Sequence, residues 1–223
     1  MHIMEGFLPL EWAVFWLLVS LPIVVLGFLS LRRIFRDHPE QKTTIAISGA
    51  FIFVLSSLKL PSVTGSSSHP TGTGFSAILY GPGITSVLCS IVLVFQAILL
   101  SHGGLTTLGA NIFSMGIAGP AAAYLLFKIM RKARIGLLSS VFAAALVADL
   151  ATYVVTSVQL ALAFPGESFI GSLEAFLLTF AVTQIPLAIA EGIIFAIFAD
   201  FIVRVKPYIF ERSGPSARAM LEE

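Results

Sequence analysis

Runs of apolar residues long enough to cross a lipid bilayer recur along this chain, and they constrain its fold more than any other feature. The clear runs span residues 10–31, 43–60, 83–101, 105–127, 135–163 and 173–203. A membrane-spanning helix needs about 20 such residues and satisfies its own backbone hydrogen bonds in lipid. Charged residues form 11% of the chain, against about 25% in soluble domains. We therefore predict an all-α integral membrane protein, with residues 1–223 forming a single polytopic membrane domain.

The basic residues predict the orientation and the number of crossings. They cluster at residues 32–42, 128–134 and 204–218, and the positive-inside rule places all three clusters in the cytoplasm. An even number of crossings must then separate the first two clusters, although only three clear apolar runs lie between them. We therefore predict a short helix near 73–81, buried by its neighbours. The result is about seven transmembrane helices at the plasma membrane, with the amino terminus outside and residues 204–223 as a cytoplasmic tail.

The first two residues have the donor atoms of a metal-chelating dipeptide. Met1 offers its amine, and His2 adds an amide nitrogen and an imidazole nitrogen, which together close two small chelate rings on one divalent ion. A fourth nitrogen would complete a planar site that suits Ni(II), Cu(II) and low-spin Co(II) rather than zinc, magnesium or calcium. We expect Met1 to be retained because His2 is bulky. A histidine at position two also arises by chance, so this feature alone is a weak signal.

The predicted topology places three of the four histidines on the outer face. His2, His69 and His102 lie there, whereas His38 falls in a cytoplasmic loop. We predict His69 as the fourth ligand, because its loop leads into the short buried helix; the alternative is a histidine bonded to local hydroxyls. We assign His102 to a helix cap or to an outer hydrogen-bonding role, ahead of direct metal binding. The other side chains predicted to hold the ligand imidazoles are Ser66, Ser67, Ser68 and Asn111.

Polar residues also interrupt the later apolar runs. They are Asp149, Gln159, Gln184, Glu191 and Asp200. Ionisable residues within a membrane are costly and mark functional sites by default. Asp200 lies near the end of its run and is placed to reach water. The sequence leaves open whether Asp149 and Glu191 serve transport or folding.

Three segments of the chain resemble the CbiM/NikM family, namely residues 1–9, 66–74 and 102–111, and the similarity extends through 149–153 and 184–188. Members of this family are the substrate-binding S components of energy-coupling-factor importers for cobalt and nickel. The resemblance implies an extra N-terminal helix added to a six-helix core. It also implies an outward-facing site in which Co(II) is held by Met1, His2 and His69.

The resemblance further implies the metal and the partners. The Met4-Glu5 opening is similar to the cobalt branch, so we expect Co(II) captured for cobalamin biosynthesis, with Ni(II) as the alternative. The implied partners are a transmembrane coupling (T) subunit, a pair of cytoplasmic ATP-binding subunits and a small companion membrane subunit. The sequence has no Gly-x-x-x-x-Gly-Lys-Ser/Thr phosphate loop, so we expect this chain to bind no ATP. A net charge of +1 gives no reason to expect nucleic acid.

Two other classes of function are alternatives to an importer subunit. An intramembrane enzyme is disfavoured because the chain has no His-Glu-x-x-His motif, and the adjacent Ser68 and His69 do not form a nucleophile–base pair. We therefore predict that the protein is not an enzyme. A metal-independent membrane scaffold or passive pore remains as the second alternative, and it would be indifferent to blocking the amino terminus.

Overall fold

The computed structural model describes residues 1–61 and 66–205. The helices in this part of the chain are α1 Leu10–Asp37, α2 Gln41–Ser57, α3 Thr73–Tyr80, α4 Pro82–Leu100, α5 Leu108–Asn111, a π-helical segment Ile112–Ala118, α6 Gly119–Lys132, α7 Leu137–Ala163 and α8 Phe169–Val205. The segments from α5 to α6 form one continuous span. The predicted all-α membrane fold is confirmed, whereas most of the predicted tail at 204–223 lies outside the described residues.

Five helical spans in the described part of the chain are long and apolar enough to cross a membrane: α1, α4, α5 to α6, α7 and α8. Helix α2 has 17 residues, which is at the lower limit for a crossing. Large apolar side chains such as Leu26 and Val182 point outward, with 65% and 76% of their surface exposed. An apolar exterior of this kind is what lipid contact requires.

The short helix predicted near 73–81 is present as α3, and seven of its eight residues are buried. It packs against α6, α7, α4 and α2. Gly72 precedes α3 with a φ of 71°, and a Cβ there would lie 3.1 Å from Ile52 Cα. A Cβ on Gly74 would lie 2.9 Å from Ala148 Cβ. Small residues therefore let the chain turn and pass between α2 and α7, which is how irregular backbone is tolerated inside a membrane bundle.

Besides a cluster that packs Met1 and Ile3 against Trp16, Leu160 and Phe180, two apolar clusters hold the described part of the bundle together. One joins α3, α6, α7 and α8 around Phe75, Phe127 and Phe195. The other joins α1, α2, α4 and the π-helical segment around Ile45, Leu93 and other buried aliphatic residues. Helices α7 and α8 run antiparallel, and the Tyr153 hydroxyl donates to the Leu177 carbonyl at 2.7 Å.

A small antiparallel sheet closes one end of the bundle. Its strands are β1 His2–Ile3, β2 Leu60–Pro61 and β3 Ser66–Ser68, in the order β1-β3-β2. Cα partners across β1 and β3 are His2 with Ser67 and Ile3 with Ser66. The sequence did not predict these strands, because two or three residues are too few to show a period-2 pattern. The sheet joins the first residues of the chain to the loop that precedes α3.

Candidate metal centre

Strand β1 is held on both edges. One edge pairs with β3. On the other edge, the Ile3 amide donates to Asn111 Oδ1 at 2.8 Å, and the Ile3 carbonyl accepts from Asn111 Nδ2 at 3.0 Å and from Thr107 Oγ1 at 2.8 Å. Met1, His2 and Ile3 have no exposed surface. Chain termini are usually poorly ordered unless they are tied down in this way, so the fold fixes the amine and His2 in place.

The residues after β1 attach to the connection between α4 and α5. The Glu5 amide donates to the Gly103 carbonyl at 3.2 Å, and the Gly6 amide donates to Thr106 Oγ1 at 3.1 Å. Hydrogen bonding from Thr106 lowers the pKa of the Glu5 carboxyl. The loop that carries His102 is therefore fastened to the N-terminal segment that carries His2.

Three of the four histidines come together beside this segment. His2, His69 and His102 are buried, and one ring nitrogen of each lies within 4.8 Å of the others. The ring centroids are separated by 4.3 Å for His2 and His69 and by 4.4 Å for His2 and His102. His38 is separate from this cluster, since its side chain is 59% exposed and lies 3.5 Å from Glu40. The three histidines predicted on one face are therefore neighbours.

The hydrogen bonds of His69 leave one of its nitrogens available to a metal. His69 Nδ1 lies 2.9 Å from the Pro70 carbonyl oxygen. A carbonyl only accepts, so Nδ1 carries the proton and Nε2 keeps its lone pair. Nε2 points directly at His2 Nδ1. In the described part of the chain, His2 Nε2 has no hydrogen-bond partner. Two buried imidazole nitrogens that face each other in this way are arranged as two neighbouring ligands of one ion.

Burial keeps the nitrogens of this cluster unprotonated. It lowers the pKa of His2 and of His69 well below the usual value of 6.5, and the neighbouring imidazoles and amine lower them further. It lowers the pKa of the Met1 amine to about 6, although the charges of Asp149 and Glu191 oppose this shift. The pKa of His102 falls to about 4 for the same main reason. Metal ligands must be unprotonated to bind, and these groups meet that requirement at neutral pH.

The residues predicted to hold the ligand imidazoles mostly hold the surrounding backbone and loops. Ser67 Oγ lies 2.7 Å from His102 Nε2. Ser68 Oγ lies 2.8 Å from Thr183 Oγ1, which connects β3 to α8. Asn111 binds the backbone of β1, and Ser66 pairs with the same strand. Ser67 therefore contacts an imidazole of the cluster, whereas Ser66, Ser68 and Asn111 position the strands that carry the nitrogens.

Glu191 fixes the turn that follows His69. Its carboxylate accepts hydrogen bonds from the Thr71 amide, from Thr71 Oγ1 at 2.9 Å and from the Gly72 amide at 2.9 Å. The signal in the sequence was an ionisable residue inside an apolar run, but the sequence could not say which backbone groups it binds. The structure shows that Glu191 orders the segment between His69 and α3.

Asp149 has a different environment. It lies fully buried on α7, and neither of its carboxylate oxygens has a hydrogen-bond partner among the described residues. The amide of Gln184 on α8 is buried and unpartnered in the same way. Asp149 is close enough to the Met1 amine to interact with it electrostatically. The remaining acidic residue in these spans, Asp200, forms an ion pair with Arg204 near the end of α8.

Comparison with known proteins agrees with this fold and these residues. A family described as "CbiM: Cobalt uptake substrate-specific transmembrane region" matches residues 2–209. The cobalt transport protein CbiM of Carboxydothermus hydrogenoformans is 60% identical over 204 residues, covering 92% of this chain and 84% of that protein. The protein of the same name from Chlorobium limicola is 54% identical over 220 residues, covering 98% and 87% respectively.

A solved structure shows the same architecture. The crystal structure of a truncated transition metal transporter superposes with a TM-score of 0.83, covering 92% of this chain and 99% of that one. Its sequence identity of 22% limits this likeness to the fold. The family match and the two bacterial relatives extend over nearly the whole chain. The chain belongs to the CbiM family.

Proposed function

We propose that this membrane component of metal uptake captures Co(II) at a four-nitrogen site built on its own amino terminus. The observation that supports the proposal most strongly is the arrangement of two buried imidazole nitrogens, His2 Nδ1 and His69 Nε2, which face each other beside the buried Met1 amine. The names of the relatives identify them as cobalt transport proteins. Together, the ligand geometry and the family favour cobalt as the transported substrate.

The four donors are the Met1 amine, the His2 amide, His2 Nδ1 and His69 Nε2. The amine and the adjacent amide close a five-membered ring on a metal, and the amide and Nδ1 of the same residue close a six-membered ring. The two rings share the His2 amide nitrogen, and the six-membered ring uses His2 Nδ1, which is the nitrogen that faces His69. The fourth ligand, His69, is held by its bond to Pro70. Such a partner on the second nitrogen fixes the orientation of a ligand imidazole.

Nickel is the second candidate substrate. Planar nitrogen sites bind Ni(II) and Cu(II) as well as low-spin Co(II), so the donor set alone does not separate them. The lowered pKa values of the ligands favour the binding of all three ions equally, so they do not separate these ions either. Discrimination must therefore come from a feature outside the planar set.

Transport requires other subunits. The chain has no phosphate-binding loop, so we propose that ATP-binding subunits supply the energy through a transmembrane coupling subunit, with a small companion membrane subunit. Helices α1, α6 and α8 run away from the histidine cluster and end near Arg36, Arg131 and Arg204. From the positive-inside rule we propose that the metal site faces outside and that the opposite end of the bundle lies in the cytoplasm.

A direct test is metal titration of the purified chain with an unmodified Met1. We expect one Co(II) per chain, with the absorption and magnetic signature of a low-spin ion. A protein that binds neither Co(II) nor Ni(II) would instead support the metal-independent scaffold. Reconstitution with the coupling and ATP-binding subunits should give cobalt uptake into vesicles only with ATP, and uptake by this chain alone would contradict the assignment of the partners.

A further inference from the structure

We propose that His102 is an axial fifth ligand, and that this ligand makes the site prefer Co(II) over Ni(II). This inference rests on the proposed four-nitrogen site, because an axial position exists only where a planar set is present.

His102 follows the end of α4, but its side chain does not take part in capping the helix. The His102 amide caps α4 by donating to the Gln96 carbonyl at 3.1 Å, so the backbone alone serves the helix end. The imidazole turns inward and lies 4.9 Å from the His69 ring, with the two planes at 85°. The His102 ring is therefore nearly perpendicular to the His69 ring and lies beside the His2 ring.

The backbone after His102 is shaped to bring the ring this close. Gly103 has a φ of 77°, and a Cβ there would lie 3.1 Å from His2 Cδ2 and 3.2 Å from Asn111 Nδ2. A side chain at position 103 would therefore push β1 away. Because the loop rests directly against the His2 ring, His102 is held within reach of the same ion.

One nitrogen of His102 is already assigned and the other is available. His102 Nε2 bonds to Ser67 Oγ at 2.7 Å, whereas Nδ1 is buried and has no partner among the described residues. When Nε2 donates its proton to the serine hydroxyl, Nδ1 holds a lone pair. Buried polar atoms are nearly always bonded, and an exception calls for an explanation such as an absent ion. A metal held by His2 and His69 would supply that partner, because one ring nitrogen of His102 lies within 4.8 Å of a ring nitrogen of each.

The spacing agrees with one shared ion. Metal–nitrogen bonds of about 2 Å place two donors on one ion at most about 4 Å apart. One nitrogen from each of the three histidines lies within 4.8 Å of the others, so a contraction of less than 1 Å brings all three within bonding range.

The electronic structures of the two metals make an axial donor selective. Low-spin Co(II) has seven d electrons, and in a planar nitrogen field the orbital along the axis holds one of them. An axial nitrogen can bind to that half-filled orbital. Low-spin Ni(II) has eight d electrons and fills the same orbital, so an axial donor is repelled. Geometry rather than intrinsic affinity separates metals that bind the same ligands, and His102 supplies that geometry.

The test is electron paramagnetic resonance of the anaerobic Co(II) complex of the full chain. An axial ¹⁴N splits each cobalt line along the axis into three, and ¹⁵N-histidine converts the three lines into two. We expect the triplet in the wild type and in Ser67→Ala, and its loss in His102→Phe, which retains a ring of similar size without nitrogens. The ratio of the Kd for Ni(II) to the Kd for Co(II) should fall about tenfold in His102→Phe, with nickel binding unchanged.

Two results would overturn the inference. One is a wild-type complex without nitrogen splitting, and this result holds even if His102→Phe fails to fold. The other is an equal loss of Co(II) and Ni(II) binding in a folded His102→Phe, which would make His102 a structural residue. Failure of the wild type to bind either metal would refute the proposed function itself and is therefore distinguishable from both.

Discussion

The chain contains two His-Pro dipeptides, at His38-Pro39 and at His69-Pro70, and they have opposite environments. His38 lies between α1 and α2, with its side chain 59% exposed and 3.5 Å from Glu40. His69 lies between β3 and α3 with no exposed surface. The same two residues in two connections therefore produce a solvated surface histidine in one case and a buried nitrogen donor in the other.

The difference comes from what surrounds each dipeptide. The Glu191 carboxylate binds the turn after His69. The imidazole of His69 faces His2. The structure provides no such partners around His38 beyond Glu40 among the described residues. A histidine becomes a metal ligand when other elements bury it, fix its tautomer and place further nitrogens beside it.

The largest expected effect is the loss of a planar ligand. His69→Ala removes the Nε2 donor, and we expect the affinity for Co(II) to fall by more than about 100-fold, since a structural metal–ligand bond contributes several kcal/mol of binding. Titration calorimetry of the folded variant measures this. His38→Ala is the matched control and should leave the affinity unchanged. Equal losses in the two variants would remove His69 from the site.

The pH dependence should be the next largest effect. The pKa of the Met1 amine is lowered to about 6, so above pH 6 the amine is already neutral and only the His2 amide releases a proton. Below pH 6 the amine is protonated in the free protein and must release its proton as well. As the pH is lowered, we expect the affinity to fall by roughly tenfold per pH unit above pH 6 and by about 100-fold per unit below it.

This expectation is checked by titration in buffers of different ionisation enthalpy, which count the protons released. About one proton should be released at pH 7 and about two at pH 5. Replacing His38 should not change either count, because His38 lies outside the site. Release of two protons at pH 7 would contradict the lowered pKa of the amine.

A smaller effect is expected from loosening the turn after His69. Glu191→Gln retains one acceptor oxygen but cannot satisfy both backbone amides and the Thr71 hydroxyl, so the turn loses order. Partners of ligands typically change metal affinity by about 10- to 100-fold when replaced, and we expect the lower end here. Asp200→Asn, on the same helix, is the control and should have little effect because surface ion pairs contribute about 0–1 kcal/mol.

The smallest effect concerns the stability of the metal-free protein. Asp149 has no hydrogen-bond partner among the residues that the structure describes, whereas Glu191 accepts three hydrogen bonds. Loss of the Glu191 bonds should lower the free energy of unfolding by about 1–3 kcal/mol. Asp149→Asn removes no bond and should leave the thermal midpoint unchanged or slightly raised. A large destabilisation by Asp149→Asn would show that this carboxyl is paired.

Much of the fold could be predicted from the sequence. The long apolar runs correspond to the long helices, and the parity of the basic clusters indicated α3, which no hydropathy window of full length would detect. The π-helical segment at Ile112–Ala118 and the strands at β1 and β3 were not predicted. Their formation depends on contacts between distant segments, such as Asn111 with Ile3. The local periodicity of the sequence does not reveal such contacts.

The nitrogen donors of the site could be predicted from the sequence, but the residues that hold these donors in place could not. The Met1-His2 dipeptide has chelating chemistry in any context, and topology brought His69 to the same face. The role of Glu191 depends on the depth to which the loop before α3 enters the bundle, since its carboxylate meets Thr71 only there. The direction of the His102 ring likewise depends on the turn at Gly103. These features follow from tertiary packing.

The central claim is that the amine of Met1 binds the metal, and blocking that amine tests it most directly. Two forms of the chain should be compared by titration with Co(II), one with an unmodified Met1 and one extended by a few residues ahead of it. We predict tight one-to-one binding in the unmodified form and its loss in the extended form, with both forms folded. Equal binding in the two forms would exclude the Met1 amine and contradict the proposed site.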